Sequence, residues 1–261
     1  MRALSIAASG VQAQQLNVDV VANNIANLNT TGFKRSRPEF QDLLYQTLER
    51  PGSATSAQGT VAPVGVQVGL GVRNAAISRN TDQGPLQITD GRYDLAIQGE
   101  GYFQVTLPNG DIGYTRAGNF ALDDEGQLVT SDGYLVEPNI TVPPEAVSVS
   151  IAADGVISFT VAGDNQPQQI GQLELATFIN PAGLDAIGDN LLLASGASGD
   201  PITGNPGDDG FGTLLQGALE TSNVNPVFEI SRLIEAQRAY ELNTRVISAV
   251  DDLLQAVGQI R

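Results

Sequence analysis

Two heptad patterns, one at each end of the chain, limit what this sequence can fold into. Near the start, Leu4, Val11, Val18 and Ile25 recur at a period of seven, with Ala8 and Ala22 four residues after two of them and Ala7, Val21 and Leu28 flanking the stripe. That spacing is the signature of a helix with one apolar seam. The seam is thin, and Asn17, Asn23, Asn24, Asn27 and Asn29 are poorer helix formers than Ala because their side chains compete for backbone hydrogen bonds. A helix of this kind is marginal alone and requires a partner.

The partner pattern lies at the other end. Asn225 is placed to N-cap a helix, Pro226 suits its first position, and Glu229 falls in the first turn, where the macrodipole favours an acid. From there Leu233, Tyr240, Ile247 and Leu254 again recur at period seven, flanked by Ala236, Val250 and Val257 on one side and Val246, Leu253 and Ile260 on the other. At 1.5 Å rise per residue, helices from Ala3 to Asn29 and from Pro226 to Ile260 reach ~40 Å and ~52 Å. Both are rods rather than core helices.

Residue types remove most chemistries. The chain has no Cys, His or Trp, and Lys34 is its one lysine, so thiolate chemistry, histidine triads and histidine-ligated zinc are excluded. The net charge of −16 is unevenly spread: from Ala117 to Ser231 there are sixteen Asp and Glu and no Lys or Arg, whereas acids and bases balance elsewhere. That field opposes binding to nucleic acid or anionic lipid and predicts a solvated central region between near-neutral ends. A generic solubilising surface would look the same. There is no run of eighteen apolar residues, so no membrane-spanning helix is expected. Arg2 and the small residues after it could pass for a short signal peptide. Ser5, Ser9 and Gly10 interrupt that stretch and the heptad seam runs through the supposed cleavage point, so no cleavage is expected.

Between the helical ends, Asn29 to Gly32 supplies a stop signal, Phe33 an apolar plug, and Lys34, Arg35 and Arg37 a basic cluster expected to pair with Glu39, Asp42 or a neighbouring subunit. Phe40, Leu43, Leu44 and Leu48 suggest a helical turn or two, and Pro51 to Gly71 an extended arm. From about Val72 the pattern is that of antiparallel strands. Tyr93 to Gln98, Tyr102 to Leu107, Val147 to Ile151, Val156 to Val161 and Gln172 to Phe178 are β-rich, with turn pairs such as Asn109-Gly110, Glu125-Gly126, Asp132-Gly133 and Asp154-Gly155 among them. Gly196 to Gly212 reads as a long surface loop. The acids at 123–125 and 208–209 lack the alternating ligand spacing of a calcium loop and fit turns better. Asn23 and Asn27, four residues apart, fit either a solvated face or polar residues that fix helix register, and the narrow exposed face favours register.

Four stretches together carry a resemblance. The segment from Ala22-Asn23-Asn24-Ile25-Ala26-Asn27 through Thr31-Gly32-Phe33-Lys34-Arg35, the central Gly99 to Val105 and Tyr114 to Phe120, and Ser222-Asn223-Val224-Asn225 with Gln237-Arg238-Ala239-Tyr240-Glu241 resemble the bacterial flagellar rod and hook family over the whole chain. The implied fold is mixed α and β: long N- and C-terminal helices forming a coiled-coil-like inner domain (1–37 and 223–261), a short helix and extended arm (38–71), and an antiparallel β-rich outer domain (72–222). The implied function is a structural subunit of the distal part of the rod, a self-assembling hollow drive shaft that transmits motor torque to the hook and forms part of the export channel.

The resemblance further implies that assembly rests on Asn23, Asn24, Ala26, Asn27, Thr30, Gly32, Phe33 and Lys34, and on Asn223, Asn225, Gln237, Arg238, Tyr240 and Asn243. The seam residues Leu4, Val11, Val18, Ile25, Leu233, Ile247 and Leu254 join them. Expected partners are further copies of the chain, other rod proteins, the hook protein, the surrounding periplasmic and outer-membrane rings and the export apparatus, with no nucleic acid, no direct membrane insertion, no metal and no cofactor. The expected location is the periplasm-spanning rod of the basal body. A proximal rod or hook subunit is the alternative within the family, and a secreted β-domain enzyme acting on polysaccharide is the alternative outside it. If the central acids face outward, added salt assists assembly by screening repulsion whose range is ~8 Å at physiological ionic strength. Light scattering across a salt series measures this, and assembly that weakens steadily with salt would mean that attractive ion pairs dominate.

Overall fold

The N-terminal heptad stretch is helical from Arg2 to Ala26 (α1) in a computed structural model that describes residues 2–51 and 64–259. The helix ends three residues before the expected Asn29 because local polar bonds take over. Thr30 Oγ1 donates to Asn27 Oδ1 at 3.0 Å, and the Thr30 amide bonds the Asn27 carbonyl at 3.3 Å. The second helix runs from Pro226 to Gln259 (α2). Asn225 caps it as expected, its Oδ1 accepting from the amides of Val227 at 3.0 Å and Phe228 at 3.3 Å. No helix among the described residues is long and apolar enough to cross a membrane.

The chain divides into two units, one comprising 1–25, 36–78 and 225–261, the other 26–35 and 79–224. In the first, α1 and α2 lie antiparallel. Asn24 Nδ2 donates to Glu229 Oε2 at 3.1 Å, and a Cβ on Gly10 would stand 3.1 Å from the Asn243 side chain. These contacts are fourteen residues apart on each helix, two heptads, so one register holds along the pair. Continuing it past Arg2 leaves about the last two turns of α2 without α1 beside them, and Leu253 and Leu254 there are 65% and 48% exposed.

The buried line of α1 differs from the heptad seam. Ala7, Ala13, Val20, Val21 and Asn24 are buried, whereas Leu4, Val11, Val18 and Ile25 are half-buried. Val11, Val18 and Ile25 each follow by one position the line Gly10, Asn17, Asn24, which puts them about 100° round the helix. The buried line thus mixes small residues and an amide with Val20 and Val21, and the heptad aliphatics fall to one side of it.

The expected helical turn at Phe40 to Leu48 is absent. Ser36–Asp42 and Tyr45–Glu49 are strands, paired with Val72–Arg79 and Val66–Gly69 respectively. Pro38 favours extended backbone before it, and Tyr45 and Thr47 are strand formers. With partner strands supplied from beyond residue 65, an ambiguous apolar spacing resolves to β. Of the expected Pro51 to Gly71 arm, residues 52–63 lie outside the described residues, and Val66–Gly69 pairs antiparallel with Tyr45–Glu49, Tyr45 facing Gly69.

In the second unit a nine-stranded antiparallel sheet is built around Tyr102–Thr106, which pairs with Ile112–Thr115, Leu135–Val136 and Leu175–Thr177. The expected strands at 93–98, 102–107, 147–151 and 156–161 are present within two residues of their sequence bounds, whereas of 172–178 only Leu175–Thr177 forms that strand and Gln172 ends another, Asp164–Gln172. The Gly196 to Gly212 segment is not wholly loop, since Ile202–Gly204 adds a strand beside Leu175–Thr177. Phe103, fully buried, meets Phe120 edge to face at 5.0 Å within a core that includes Leu95, Ile97, Val105, Leu173 and Leu175.

Leu95 joins this core through a backbone bond to the Gly118 carbonyl at 2.9 Å, and a Cβ on Gly118 would fall 1.7 Å from the Leu95 oxygen. Gly118→Ala is therefore expected to destabilise the chain by about 1–3 kcal/mol or more, since backbone rather than a mobile side chain must yield. Urea unfolding checks this, with Gly196→Ala, where a Cβ meets nothing within 4 Å, as the control.

Candidate assembly site

Of the residues expected to serve assembly, Gly32, Phe33, Lys34 and Asn223 lie in the β-rich unit around a buried carboxylate that the sequence did not single out, and their bonds described here run within the chain. Glu220, 1% exposed, accepts a hydrogen bond from Lys34 Nζ and another from the Gly84 amide at 2.9 Å. Lys34, 6% exposed, also donates to the Asp82 carbonyl at 2.8 Å, and Arg116 Nε lies 3.7 Å from the second Glu220 oxygen. Burial pulls the Lys34 ammonium below its ordinary pKa, an effect opposed by the Glu220 bond and charge and reinforced by Arg116. Within the basic cluster Arg37 meets the expected local pairing, its Nη2 lying 3.2 Å from Glu39. Lys34 instead reaches a residue 186 positions away.

Backbone geometry sets this arrangement. Gly32 has φ +70°, donates its amide to the Glu220 carbonyl at 2.8 Å, and would place a Cβ 2.7 Å from the Ala117 amide, so no other residue fits there without strain. Asn223 completes the stitching. Its Oδ1 accepts from the Arg35 amide at 2.8 Å and its Nδ2 donates to the carbonyls of Asp82 at 2.9 Å and Asn80 at 3.1 Å. The segments 32–35, 80–84, 116–117 and 220–223 are thereby tied into one knot. Phe33 is half-buried, and its carbonyl accepts from the Asn223 amide at 3.4 Å.

In the helical unit a second buried polar group forms around Asn24. Its Oδ1 accepts from the Ser36 amide at 2.9 Å, while its Nδ2 donates to the Ser36 carbonyl at 2.8 Å and to Glu229. Both Asn24 and Glu229 are fully buried, so the acid in the first turn of α2 also bonds α1. Leu233, Asn243 and Ile247 are half-buried along α2, while Gln237, Arg238, Tyr240 and Leu254 face outward, as do Asn23 and Ala26 on α1. Sequence reasoning named neither Glu220 nor Arg116 as a site residue. Their one signal was position, Arg116 inside the Tyr114 to Phe120 motif and Glu220 two residues before Ser222-Asn223.

Among the described residues no group of three or more Asp or Glu is placed to hold a metal ion. The fold thus has a unit of paired terminal helices and a strand-rich unit stitched by buried polar bonds. The family descriptions "Flagella basal body rod protein", "Flagellar hook protein FlgE/F/G D1 domain" and "Flagellar basal body rod FlgEFG protein C-terminal" match residues 4–34, 96–159 and 215–260. The chain is 56% identical over the full length of both chains to the flagellar basal-body rod protein FlgG of Caulobacter vibrioides. It is 47% identical to that of Borreliella burgdorferi, covering 100% of this chain and 99% of the relative. To the flagellar basal-body rod protein FlgF of Caulobacter vibrioides it is 37% identical, over 96% and 94% of the two chains. The chain belongs to the flagellar rod and hook family, whose members are structural components of the flagellum.

Removing Lys34 leaves Glu220 buried with Arg116 as its nearest cation. Lys34→Met is expected to cost about 3–5 kcal/mol, and the double change Lys34→Met with Glu220→Leu less than the sum of the two single changes. Guanidinium unfolding of the four chains in a double-mutant cycle measures this coupling.

Proposed function

We propose that the chain is a structural subunit of the flagellar distal rod, a self-assembling hollow helical shaft that carries motor torque to the hook and lines part of the export channel. The observation that carries this is the apolar surface left over after α1 and α2 have paired. Leu4, Val11, Val18 and Ile25 stay half-exposed on one helix, and Leu242, Val246, Leu253 and Leu254 stay exposed on the other. An apolar face of that length on a helix is hidden economically only by repeated side-by-side packing of copies.

The higher identity to proteins named FlgG than to one named FlgF supports the distal over the proximal rod. In this reading the helices form the inner wall, the acidic β-rich unit faces outward toward the surrounding rings, and the ribbon at 45–49 and 66–69 is part of an arm laid along neighbouring subunits. Exposed Leu44, Tyr45, Leu48 and Val66 on that ribbon support the last point, because a lone two-stranded ribbon is marginal in water. The other rod proteins and the hook protein continue the shaft at its ends, and the subunit arrives through the export apparatus. It performs no catalysis and binds no cofactor.

Val11→Asp and Leu254→Asp test the stripe. Each is expected to leave monomer stability within about 0.5–1 kcal/mol of the parent, because the positions are partly or largely exposed. Each is also expected to abolish tubes in electron micrographs of concentrated protein. Tubes at the parent's concentration from both variants would remove the stripe from assembly.

A further inference from the structure

Around Arg116 the β-rich unit buries more positive than negative charge. The guanidinium is 7% exposed and makes one hydrogen bond, from Nη2 to the Gly99 carbonyl at 2.7 Å. Its Cζ sits 5.5 Å from the centre of the Tyr102 ring. Nε, at 3.7 Å from Glu220, is beyond hydrogen-bond reach, and Nε and Nη1 of Arg116 and Nη1 of Arg79 are buried without a hydrogen-bond partner. One Glu220 oxygen serves Lys34 and the Gly84 amide, and the other, buried and without a hydrogen-bond partner, lies toward Arg116 Nε, so a single carboxylate faces more than one cation and Nη1 of Arg116 and Nη1 of Arg79 stay unanswered.

Arg116 also forms part of the wall of a cleft of about 70 Å³, together with Thr81, Glu100, Tyr102, Thr177 and Phe178. Burial raises the Tyr102 phenol above its ordinary pKa, and the charges pulling it back are Arg116 and Arg79, opposed by Glu220 and Glu100. Both guanidinium groups therefore act on one ring in the cleft wall. The cleft has room for a carboxylate group on a side chain. A carboxylate also supplies what the free N–H groups lack, acceptor oxygens of opposite charge.

We propose that the Tyr102–Arg116 cleft is a carboxylate-binding site, and that in the polymer its ligand is an Asp or Glu side chain of a second copy of this chain. The second copy follows from charge complementarity. Each copy carries sixteen acids and no Lys or Arg between Ala117 and Ser231, so the surface a neighbour offers is rich in carboxylates and poor in competing cations. The source of the ligand rests on the self-assembly reading, whereas the cleft does not. Glu100, exposed beside the cleft, opposes the ligand and weakens binding of a free anion.

The test uses the full chain as monomer, following arginine Nε–H resonances by NMR during titration with acetate against chloride at matched ionic strength. A saturable shift of the Arg116 resonance, identified by its loss in Arg116→Lys, is expected with acetate only. Glu100→Gln, a change to an exposed side chain, is expected to tighten acetate binding about threefold by removing a like charge, and Thr177→Leu to weaken it by narrowing the cleft. Acetate is also expected to raise the protein concentration needed for assembly relative to chloride. No saturable shift in the parent and in Glu100→Gln would overturn the site, whether or not the chain assembles. A shift with no effect on assembly would overturn the second copy as the source and leave a free small carboxylate as the ligand.

Discussion

The ion pair between Lys34 and Glu220 is the constraint on which the β-rich unit's closure depends. Two charges removed from water cost several kcal/mol each, and their attraction offsets this only where the remaining polar atoms are also served. Here the Gly84 amide and the Asp82 carbonyl do part of that service, and Gly32 brings its own amide to the Glu220 backbone. A hydrophobic contact at the same place would tolerate sliding, because dispersion has no preferred direction. A buried salt bridge fitted with directional bonds does not, so the chain enters the unit at residues 26–35 and leaves it at 220–224 at fixed points.

The helical unit solves a related problem with different residues. Small buried residues such as Ala7, Ala13 and Ala236 specify little by themselves, since small side chains mesh in several registers. Asn24 and Glu229 remove the ambiguity: in any shifted register a buried amide and a buried carboxylate would face apolar groups and lose their bonds. The same choice of small residues leaves the bulkier aliphatic side chains at the margin of the pair. Pairing within one copy and packing among copies therefore use different faces of the same helices.

Charge follows the same division. The helices and the ribbon carry acids and bases in balance, and the acid excess is confined to the span that supplies most of the β-rich unit. Helical ends free of net charge can be crowded together, while the acidic units repel one another at short range and stay solvated. Arg116 and Arg79 are cations set beside that field, each with buried nitrogens that find no hydrogen-bond partner among the described residues.

Much was determined by the sequence alone, and the parts that were share a physical cause. The terminal helices, the cap at Asn225, the strands at 156–161 and 102–106 and the turns at Gly110, Gly126, Gly133 and Gly155 are all signalled by patterns within a few residues, which periodicity and turn chemistry encode directly. Family motifs likewise pointed to Gly32, Lys34 and Asn223. Tertiary structure decided the rest. The Phe40 to Leu48 stretch became strand because its hydrogen-bond partners lie at 66–79, and the buried face of α1 was chosen by close approach to Asn243 rather than by apolar bulk. Glu220 and Glu229 looked like two acids among many. A carboxylate acquires a role only when folding removes its water and supplies particular donors, and those donors, Lys34 and Asn24, stand 186 and 205 positions away along the chain.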